Sequence, residues 1–195
     1  FTTTFAVFAT SLANQSIRVS VGYNKANVKI VTSHGGVCVG ADGATHQGIE
    51  DVALMRLIPG MTVLVPCDAN EVYKATMAAA EIDGPVYLRL GRIPTTVVTG
   101  EDTDFTVGKA VVLREGSDVA IIAMGAMVPT ALQAAEKLAE EGIQAKVINM
   151  HTVKPLDEQT VIQAAKECGC LVTAEEHTII GGLGSACAEV VVREY

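Results

Sequence analysis

The chain has 195 residues, of which 49% are hydrophobic and 18% are charged, and its formal net charge is −8. This length and apolar content are those of a globular protein with one large or two small domains. No apolar run reaches the roughly 18 residues that a membrane span needs, and no basic stripe is present that would neutralise nucleic-acid phosphates. The sequence therefore argues against membrane insertion and nucleic-acid binding, whereas a small anionic substrate needs only one or two well-placed cations.

The mean hydropathy of +0.36 is high for a chain without a membrane span. Such an excess predicts parallel strands buried on both faces or a large subunit interface, so we expect an oligomer. The chain begins at Phe1 within an apolar segment, which indicates a piece of a longer protein. No basic stretch followed by an apolar core marks a secretory signal.

Five cysteines are present, and they show no paired Cys-x-x-Cys spacing. Cys168 and Cys170 could form half of a metal site, but the sequence has no second half, so we predict no metal ligands. An odd number of cysteines also fits poorly with a disulfide framework. We therefore predict buried thiols in a reducing cytoplasm.

The first half of the chain alternates between helix and strand patterns. An imperfect helical stripe covers 5–21, and it is followed by a strand at 28–31, a helix at 49–58, a strand at 61–65, a helix at 68–82 with Asp68 as its N-cap, and a strand at 86–90. This order is typical of a parallel sheet with helices on its faces.

Residues 94–107 are polar and rich in turn formers, so we interpret them as a linker between domains at 1–93 and 108–195. The second domain continues with a strand at 118–124, a helix over 128–138 closed by Gly142, a strand at 145–150, a helix from Asp157 to about 168, a strand at 171–174 and a helix from 185. The predicted fold class is α/β, with two consecutive three-layer parallel-sheet domains. We expect both domains to be truncated, because neither end of the chain carries a stop signal.

A glycine-rich segment at 33–48 joins the strand at 28–31 to the helix at 49–58. Glycines let the backbone approach a ligand closely, and open α/β sheets bind ligands beyond the carboxyl ends of their strands. The segment carries His34, Asp42 and His46, and two imidazoles beside a carboxylate can exchange protons near neutral pH. These residues also have plainer interpretations, since the histidines could stabilise the loop and Asp42 could hydrogen-bond its own turn.

Several motifs occur together in a fixed order. The segments GADGATHQG at 40–48, LMRLIPGMTV at 54–63 and PCDANE at 66–71 resemble the pyrimidine-binding domain of the transketolase family. The segments NMHTVKPLD at 149–157 and AEEHTIIGGLGSA at 174–186 resemble the C-terminal domain of that family. Because the match runs along nearly the whole chain, the chain most resembles the small, C-terminal subunit of transketolases that are split over two chains.

The resemblance implies thiamine diphosphate chemistry, in which a two-carbon ketol unit moves from a ketose phosphate to an aldose phosphate. By the same resemblance, Phe8 packs on the aminopyrimidine ring of the cofactor, with Phe5 beside it. His34 and His46 match catalytic histidines that contact the hydroxyls and the reacting oxygen of the substrate. A clamp of this kind agrees with the chemistry, which needs a dry apolar site and nearby proton donors.

Two further residues match substrate-binding groups of the family. Asp42 matches an acid that hydrogen-bonds a substrate hydroxyl, and Arg92 matches an arginine that holds the substrate phosphate. On spacing alone, Phe5 and Phe8 are more typical of a hydrophobic core, and Arg92 could be a solvated surface residue.

The chain departs from the family pattern in three respects. The catalytic glutamate of the family lies upstream of the segment that matches Phe1. The domain that binds the diphosphate and Mg²⁺ lies N-terminally in the family or on a partner subunit. Ala41 stands where an acid is usual, and Ser11 stands where many transketolases have an aromatic residue. We therefore expect activity only with a diphosphate-binding partner subunit or the missing domain, in a homo- or hetero-oligomer, and leave the sugar phosphates open.

Other functions are also compatible with the sequence. 1-Deoxyxylulose-5-phosphate synthase and the β subunit of 2-oxoacid dehydrogenases share the architecture that the resemblance implies, and these enzymes use pyruvate where a transketolase uses phosphosugar donors. A non-catalytic subunit that completes the site of a partner is a second alternative. We interpret His177 as structural and assign no chemistry to His151 or Lys154.

Overall fold

The computed structural model describes residues 1–194, which form two sheets covered by helices. The strands are β1 (Thr2–Phe5), β2 (Lys29–Ser33), β3 (Thr62–Leu64), β4 (Val86–Arg89), β5 (Val111–Arg114), β6 (Val119–Ala123), β7 (Ala145–Asn149), β8 (Thr152–Lys154) and β9 (Leu171–Ala174). The strand order is β1-β2-β4-β3-β8 in the first sheet and β5-β7-β6-β9 in the second.

The helices follow the strands in the alternating order that the sequence predicts. They are α1 (Ala6–Ser11), α2 (Asn14–Ser16), α3 (Asp51–Leu57), α4 (Ala69–Glu81), α5 (Met127–Glu140), α6 (Glu158–Cys168) and α7 (Leu183–Glu194). A π-helical stretch covers Ile17–Tyr23, and two 3₁₀ turns cover Gly40–Asp42 and Ala44–His46. No helix within residues 1–194 is long and apolar enough to cross a membrane.

The α/β architecture is confirmed, and most strand pairs are parallel. In the first sheet β1, β2, β4 and β3 run parallel, and in the second sheet β7, β6 and β9 do so. Every residue of β4 is buried, as expected for a central strand with helices on both faces. The parallel strands end at the same edge of each sheet, where the predicted site lies.

The predicted parallel sheets are present, and each also carries one antiparallel strand, so the sheets are mixed and mostly parallel. β5 runs antiparallel to β7, and β8 runs antiparallel to β3. We call residues 1–93 the first unit and residues 108–194 the second unit. β8 belongs to the second unit but completes the first sheet, so the strand pair β3-β8 joins the two units. The reason is visible in β3, whose Val63 and Leu64 are fully buried and would otherwise form an unprotected apolar edge.

The predicted helix over 5–21 is broken in the structure. Thr2–Phe5 forms an edge strand that pairs with β2, because the β-branched threonines fit an extended backbone. The helical pattern that follows is divided between α1, α2 and the π-helical stretch. Gly22 lies close against Ile58, since a Cβ at this glycine would overlap the Ile58 side chain.

One hydrophobic core extends through both units. It joins Met55 and Tyr87 of the first unit to Ile122, Ile148 and Leu183 of the second. The segment predicted as a linker is also tied down, because Asp68 accepts hydrogen bonds from the Val98 and Thr99 amides at 2.8 and 2.7 Å. The shared core and these hydrogen bonds therefore fix the position of the two units relative to each other.

Candidate functional site

The glycine-rich loop between β2 and α3 is fixed at both ends by backbone hydrogen bonds. The Gly35 amide donates to the Leu90 carbonyl at 3.0 Å, and the Gly36 amide donates to the Gly48 carbonyl at 2.8 Å. Between these points the two 3₁₀ turns carry Asp42 and His46. We call residues 34–48 the site loop.

His34 stands at the start of the site loop in a left-handed backbone conformation, with φ at +61°. A non-glycine residue in this region costs about 1–3 kcal/mol and is common at functional sites. The imidazole stacks on the ring of Phe5 with centroids 3.7 Å apart, and its Nδ1 lies 2.9 Å from Ser33 Oγ. These contacts direct the other ring nitrogen, Nε2, towards Asp42 at 3.6 Å.

Asp42 lies between a histidine and an arginine. Its Oδ2 atom is 3.6 Å from His34 Nε2 and 3.2 Å from Arg92 Nε. The Arg92 side chain is 42% exposed, and the Asp42 side chain is 33% exposed. The carboxylate is thus partly neutralised on one side while the guanidinium keeps donors at the surface for an incoming anion.

His46 lies on the other side of the aromatic pair. Its ring meets Phe8 edge-on with centroids 5.3 Å apart and meets Phe5 edge-on at 6.1 Å. Thr45 Oγ1 lies 2.9 Å from His46 Nδ1 and fixes the orientation of the ring. Both histidines therefore border one aromatic surface, so a ligand on that surface would lie between two imidazoles able to hydrogen-bond it.

The structure brings all six predicted site residues into one cluster. They come from α1 and the strand before it, from the site loop, and from the segment after β4: Phe5, Phe8, His34, Asp42, His46 and Arg92. Their proximity is a finding of the structure, while their individual roles remain predictions.

The aromatic pair fits the pyrimidine half of thiamine diphosphate. The rings of Phe5 and Phe8 are 9° from parallel with centroids 5.7 Å apart, and both are partly exposed. A planar heterocycle packs on such rings at comparable spacing. Within residues 1–194, no group of three or more His, Cys, Asp or Glu side chains is placed to hold a metal ion. The aromatic pair thus offers a partly exposed surface on which a planar ring can pack.

Sequence reasoning missed a buried polar cluster beneath the site loop. Arg89 Nε donates to Asp51 Oδ2 at 2.8 Å, and the Tyr87 hydroxyl donates to the same oxygen at 2.7 Å. Asp51 and Tyr87 are fully buried, and Arg89 is 5% exposed. The available signal was a charged residue inside the otherwise apolar strand at 86–90, since a charge in such a place is normally paired.

The second unit also reaches the site loop. The Glu176 side chain beside the Cys38 thiol raises the pKa of Cys38 above its ordinary value. Glu176, Gly35, Cys67 and Gly125 help to line a groove of about 390 Å³ between the two units. The groove therefore runs along the carboxyl ends of strands from both sheets, and its wall includes Gly35 and Gly91, which adjoin His34 and Arg92 in the sequence.

The remaining histidines lie away from the cluster. His177 Nε2 accepts a hydrogen bond from the Ala53 amide at 3.3 Å, so this residue connects the second unit to the first turn of α3. His151 is fully buried and stacks on Phe105 with centroids 4.2 Å apart. Burial lowers the pKa of His151 to about 4, so its imidazole is neutral at pH 7.

Two protein-family profiles match this chain and identify its family. The profile described as "Transketolase, pyrimidine binding domain" matches residues 1–97, and the profile described as "Transketolase, C-terminal domain" matches residues 108–195. The chain belongs to the transketolase family. The site loop lies within the matched pyrimidine-binding domain, and Glu176 lies within the matched C-terminal domain.

Transketolase relatives match most of this chain. A 6-deoxy-6-sulfo-D-fructose transketolase subunit of Clostridium sp. (strain MSTE9) is 49% identical over 189 residues, which cover 97% of this chain and 59% of the relative. A 1-deoxy-D-xylulose-5-phosphate synthase of Desulforudis audaxviator is 42% identical over 192 residues, which cover 96% of this chain and 30% of that enzyme.

A solved structure described as a split gene transketolase, inactive beta4 tetramer, matches with a TM-score of 0.93 and 50% identity. The match covers 99% of this chain and 62% of that one. The chain thus spans about 60% of the length of the split subunits that it matches.

Proposed function

We propose that the chain is part of a thiamine diphosphate-dependent transketolase and corresponds to its small subunit. The enzyme would transfer a two-carbon ketol unit from a ketose phosphate to an aldose phosphate. The observation that carries the proposal is the single cluster formed by two phenylalanines, two histidines, an acid and an arginine from separate parts of the chain.

In this proposal the aromatic pair holds the pyrimidine ring of the cofactor, with Phe8 against the ring and Phe5 supporting it. When bound, thiamine diphosphate supplies the carbon nucleophile that carries the two-carbon unit. His34 and His46 border the same surface and hold or move protons at substrate oxygens as alkoxides form and collapse. The stacking of His34 on Phe5 keeps that imidazole in place.

Asp42 and Arg92 would bind the sugar. Asp42 accepts a hydrogen bond from a substrate hydroxyl, and Arg92 holds the distal anion. A guanidinium at the edge of the cluster, 42% exposed, can reach an anion without leaving the site. The sulfonated sugar in the name of the Clostridium relative also carries a distal anion, so a phosphate or a sulfonate would meet the same arginine.

A partner subunit or a further domain would complete the enzyme. The solved structure with 50% identity is described as an inactive tetramer of a split-gene transketolase subunit. This description supports a diphosphate-binding subunit as partner and an oligomer as the active form. We also propose a reducing cytoplasm as its location, which suits five free thiols. The prediction that the thiols are buried is right for Cys67 and Cys187 and wrong for Cys38 and Cys170, which are exposed.

A second candidate function has one specific observation in its favour. The Desulforudis synthase is 42% identical to this chain. If this chain acted as part of such a synthase, pyruvate would replace the ketose phosphate as donor. The two proposals therefore differ in donor and share the histidine cluster.

The test is reconstitution of the chain with a candidate diphosphate-binding subunit, followed by assay with ketose phosphates and with pyruvate. We expect ketol transfer from a ketose phosphate, and a large loss of turnover in His34→Ala and His46→Ala. The control is His177→Gln, which keeps an acceptor for the Ala53 amide and should retain activity. Full activity of both cluster variants would contradict a catalytic role and favour a scaffolding subunit, while turnover of pyruvate alone would favour the synthase.

A further inference from the structure

A buried ion pair lies directly beneath the site loop. Asp51 Oδ2 accepts hydrogen bonds from Arg89 Nε at 2.8 Å and from the Tyr87 hydroxyl at 2.7 Å. Burial by itself would lower the pKa of Arg89, but the Asp51 carboxylate outweighs this effect and raises the pKa, so the guanidinium remains charged.

Stability alone does not explain this pair. A buried ion pair is often no more stable than apolar residues of the same volume, because both charges lose their hydration. In addition, Asp51 Oδ1 has no hydrogen-bond partner among residues 1–194, which is a further cost. We therefore look for the function of the pair in the groups that bind the other end of the guanidinium, at Nη2.

Arg89 Nη2 joins the site loop to the second unit. Arg89 Nη2 donates to the Gly48 carbonyl at 3.0 Å and to the Glu176 carbonyl at 2.8 Å. The Gly48 carbonyl also accepts from the Gly36 amide, at the opposite end of the loop. One guanidinium therefore contacts the closing point of the loop and a segment of the second unit together.

Gly35 and Gly36, at the start of the site loop, pack so closely against Arg89 and Glu176 that no side chain would fit at either glycine. A Cβ at Gly35 would lie 2.5 Å from Arg89 Nε, and a Cβ at Gly36 would lie 2.7 Å from Glu176 Oε2. Gly36 also has φ at +96°, a conformation that side chains disfavour. Because His34 directly precedes this clamped segment, a shift of Arg89 or Glu176 moves the imidazole as well.

We propose that Arg89, held by Asp51 and Tyr87, is a positioning residue that sets the orientation of His34 and His46 and couples it to the second unit through Glu176. Its effect on turnover rests on the proposed function, whereas its effect on the two imidazoles does not. Arg89 lines the groove, but its hydrogen bonds in the structure go to Asp51 and to the Gly48 and Glu176 carbonyls, so it reaches the two histidines through the backbone of the site loop.

The test compares Arg89→Lys with the matched control Arg56→Lys. Arg56 also joins the first unit to the second, since its Nη1 donates to the Gly181 carbonyl at 2.6 Å, but it does so from α3. Lysine keeps the charge in both variants and removes the planar fork that binds two groups together. Asp51→Asn, which keeps the shape of the side chain and removes its charge, serves as a second variant if Arg89→Lys fails to fold.

The first readout is the NMR spectrum of the histidine side chains in the full chain, which has four histidines. Arg89→Lys should shift the signals of His34 and His46 and leave the buried His151 unchanged, whereas Arg56→Lys should shift neither cluster signal. The second readout is turnover of the reconstituted complex, where a displacement of about 1 Å would lower kcat by about 100-fold in Arg89→Lys alone.

The outcomes separate this proposal from the proposed function. Unmoved His34 and His46 signals in a folded Arg89→Lys chain, or equal losses of turnover in both arginine variants, would overturn the positioning role. Shifted signals in a chain whose wild-type complex transfers no ketol unit would support the positioning role and reject the proposed function.

Discussion

Replacement of Arg92 by glutamine tests how the proposed site recognises its substrate. Arg92 Nε lies 3.2 Å from Asp42 Oδ2 with the side chain 42% exposed, so its charge is available at the edge of the cluster. A hydrogen bond to a charged group contributes about 1.5–3 kcal/mol. Solvent screening at this exposure places Arg92 in the lower part of that range, about 1.5–2 kcal/mol, which corresponds to a loss of roughly 10- to 30-fold in kcat/KM.

The loss should appear in KM rather than kcat. The distal anion of the substrate does not react, so its contact with Arg92 is the same in the ground state and in the transition state. The assay compares a ketose phosphate with the same ketose lacking its phosphate, in the reconstituted complex. Arg92→Gln should weaken use of the phosphorylated sugar only, and the exposed Arg18→Gln should change neither.

Two results would refute this reasoning. An equal loss of kcat/KM for both sugars would show that Arg92 acts through Asp42 or through the loop rather than on the phosphate. An unchanged KM for the ketose phosphate would show that another cation holds the anion.

Three further predictions concern the framework of the site. Asp68→Ala should lower the free energy of unfolding by about 2–4 kcal/mol in urea titration, because Asp68 caps α4 and accepts three more hydrogen bonds from the segment at 98–99. Urea titration should also show that the stability of the wild-type chain decreases by about 2 kcal/mol from pH 7 to pH 5 through His151, whose pKa near 4 in the folded state lies below the value of about 6.5 in the unfolded state. The unfolded state then binds a proton that the folded state does not, and His151→Asn should remove this contribution. Gly35→Ala should reduce turnover because its Cβ would lie 2.5 Å from Arg89 Nε, whereas a Cβ at Gly91 would meet nothing within 4 Å, so Gly91→Ala should retain activity.

Each of these predictions has an opposing result. A stability of Asp68→Ala within about 0.5 kcal/mol of wild type would show that water replaces the lost acceptor. A pH dependence that persists in His151→Asn would assign it to another group. Equal turnover in Gly35→Ala and Gly91→Ala would show that the site loop accommodates a side chain at Gly35.

The elements with local signals could be predicted from the sequence. Asp68 and Asp157 cap α4 and α6 as expected, since each accepts a hydrogen bond from the amide three residues later. The apolar runs at 61–65 and 145–150 lie on β3 and β7. Such signals depend on neighbours in the sequence, and they identified the α/β architecture without the resemblance.

The features that depend on distant contacts could not be predicted in this way. β8 has three residues and forms because β3 needs a partner at its edge, about 90 residues away in the sequence. The contact of Arg89 with Glu176 likewise joins positions 87 residues apart. The grouping of the six site residues followed from the resemblance to a family, because no period or spacing connects Phe8 to Arg92.

The central claim is that this chain supplies the pyrimidine-binding half of a shared cofactor site. The most direct measurement is calorimetric titration of thiamine diphosphate with Mg²⁺ into the purified chain, first alone and then together with a diphosphate-binding transketolase subunit. The account predicts binding only when the partner is present, and a weaker affinity when Phe8→Ala replaces the wild-type chain. Tight binding to the isolated chain, or no binding in either case, would contradict it.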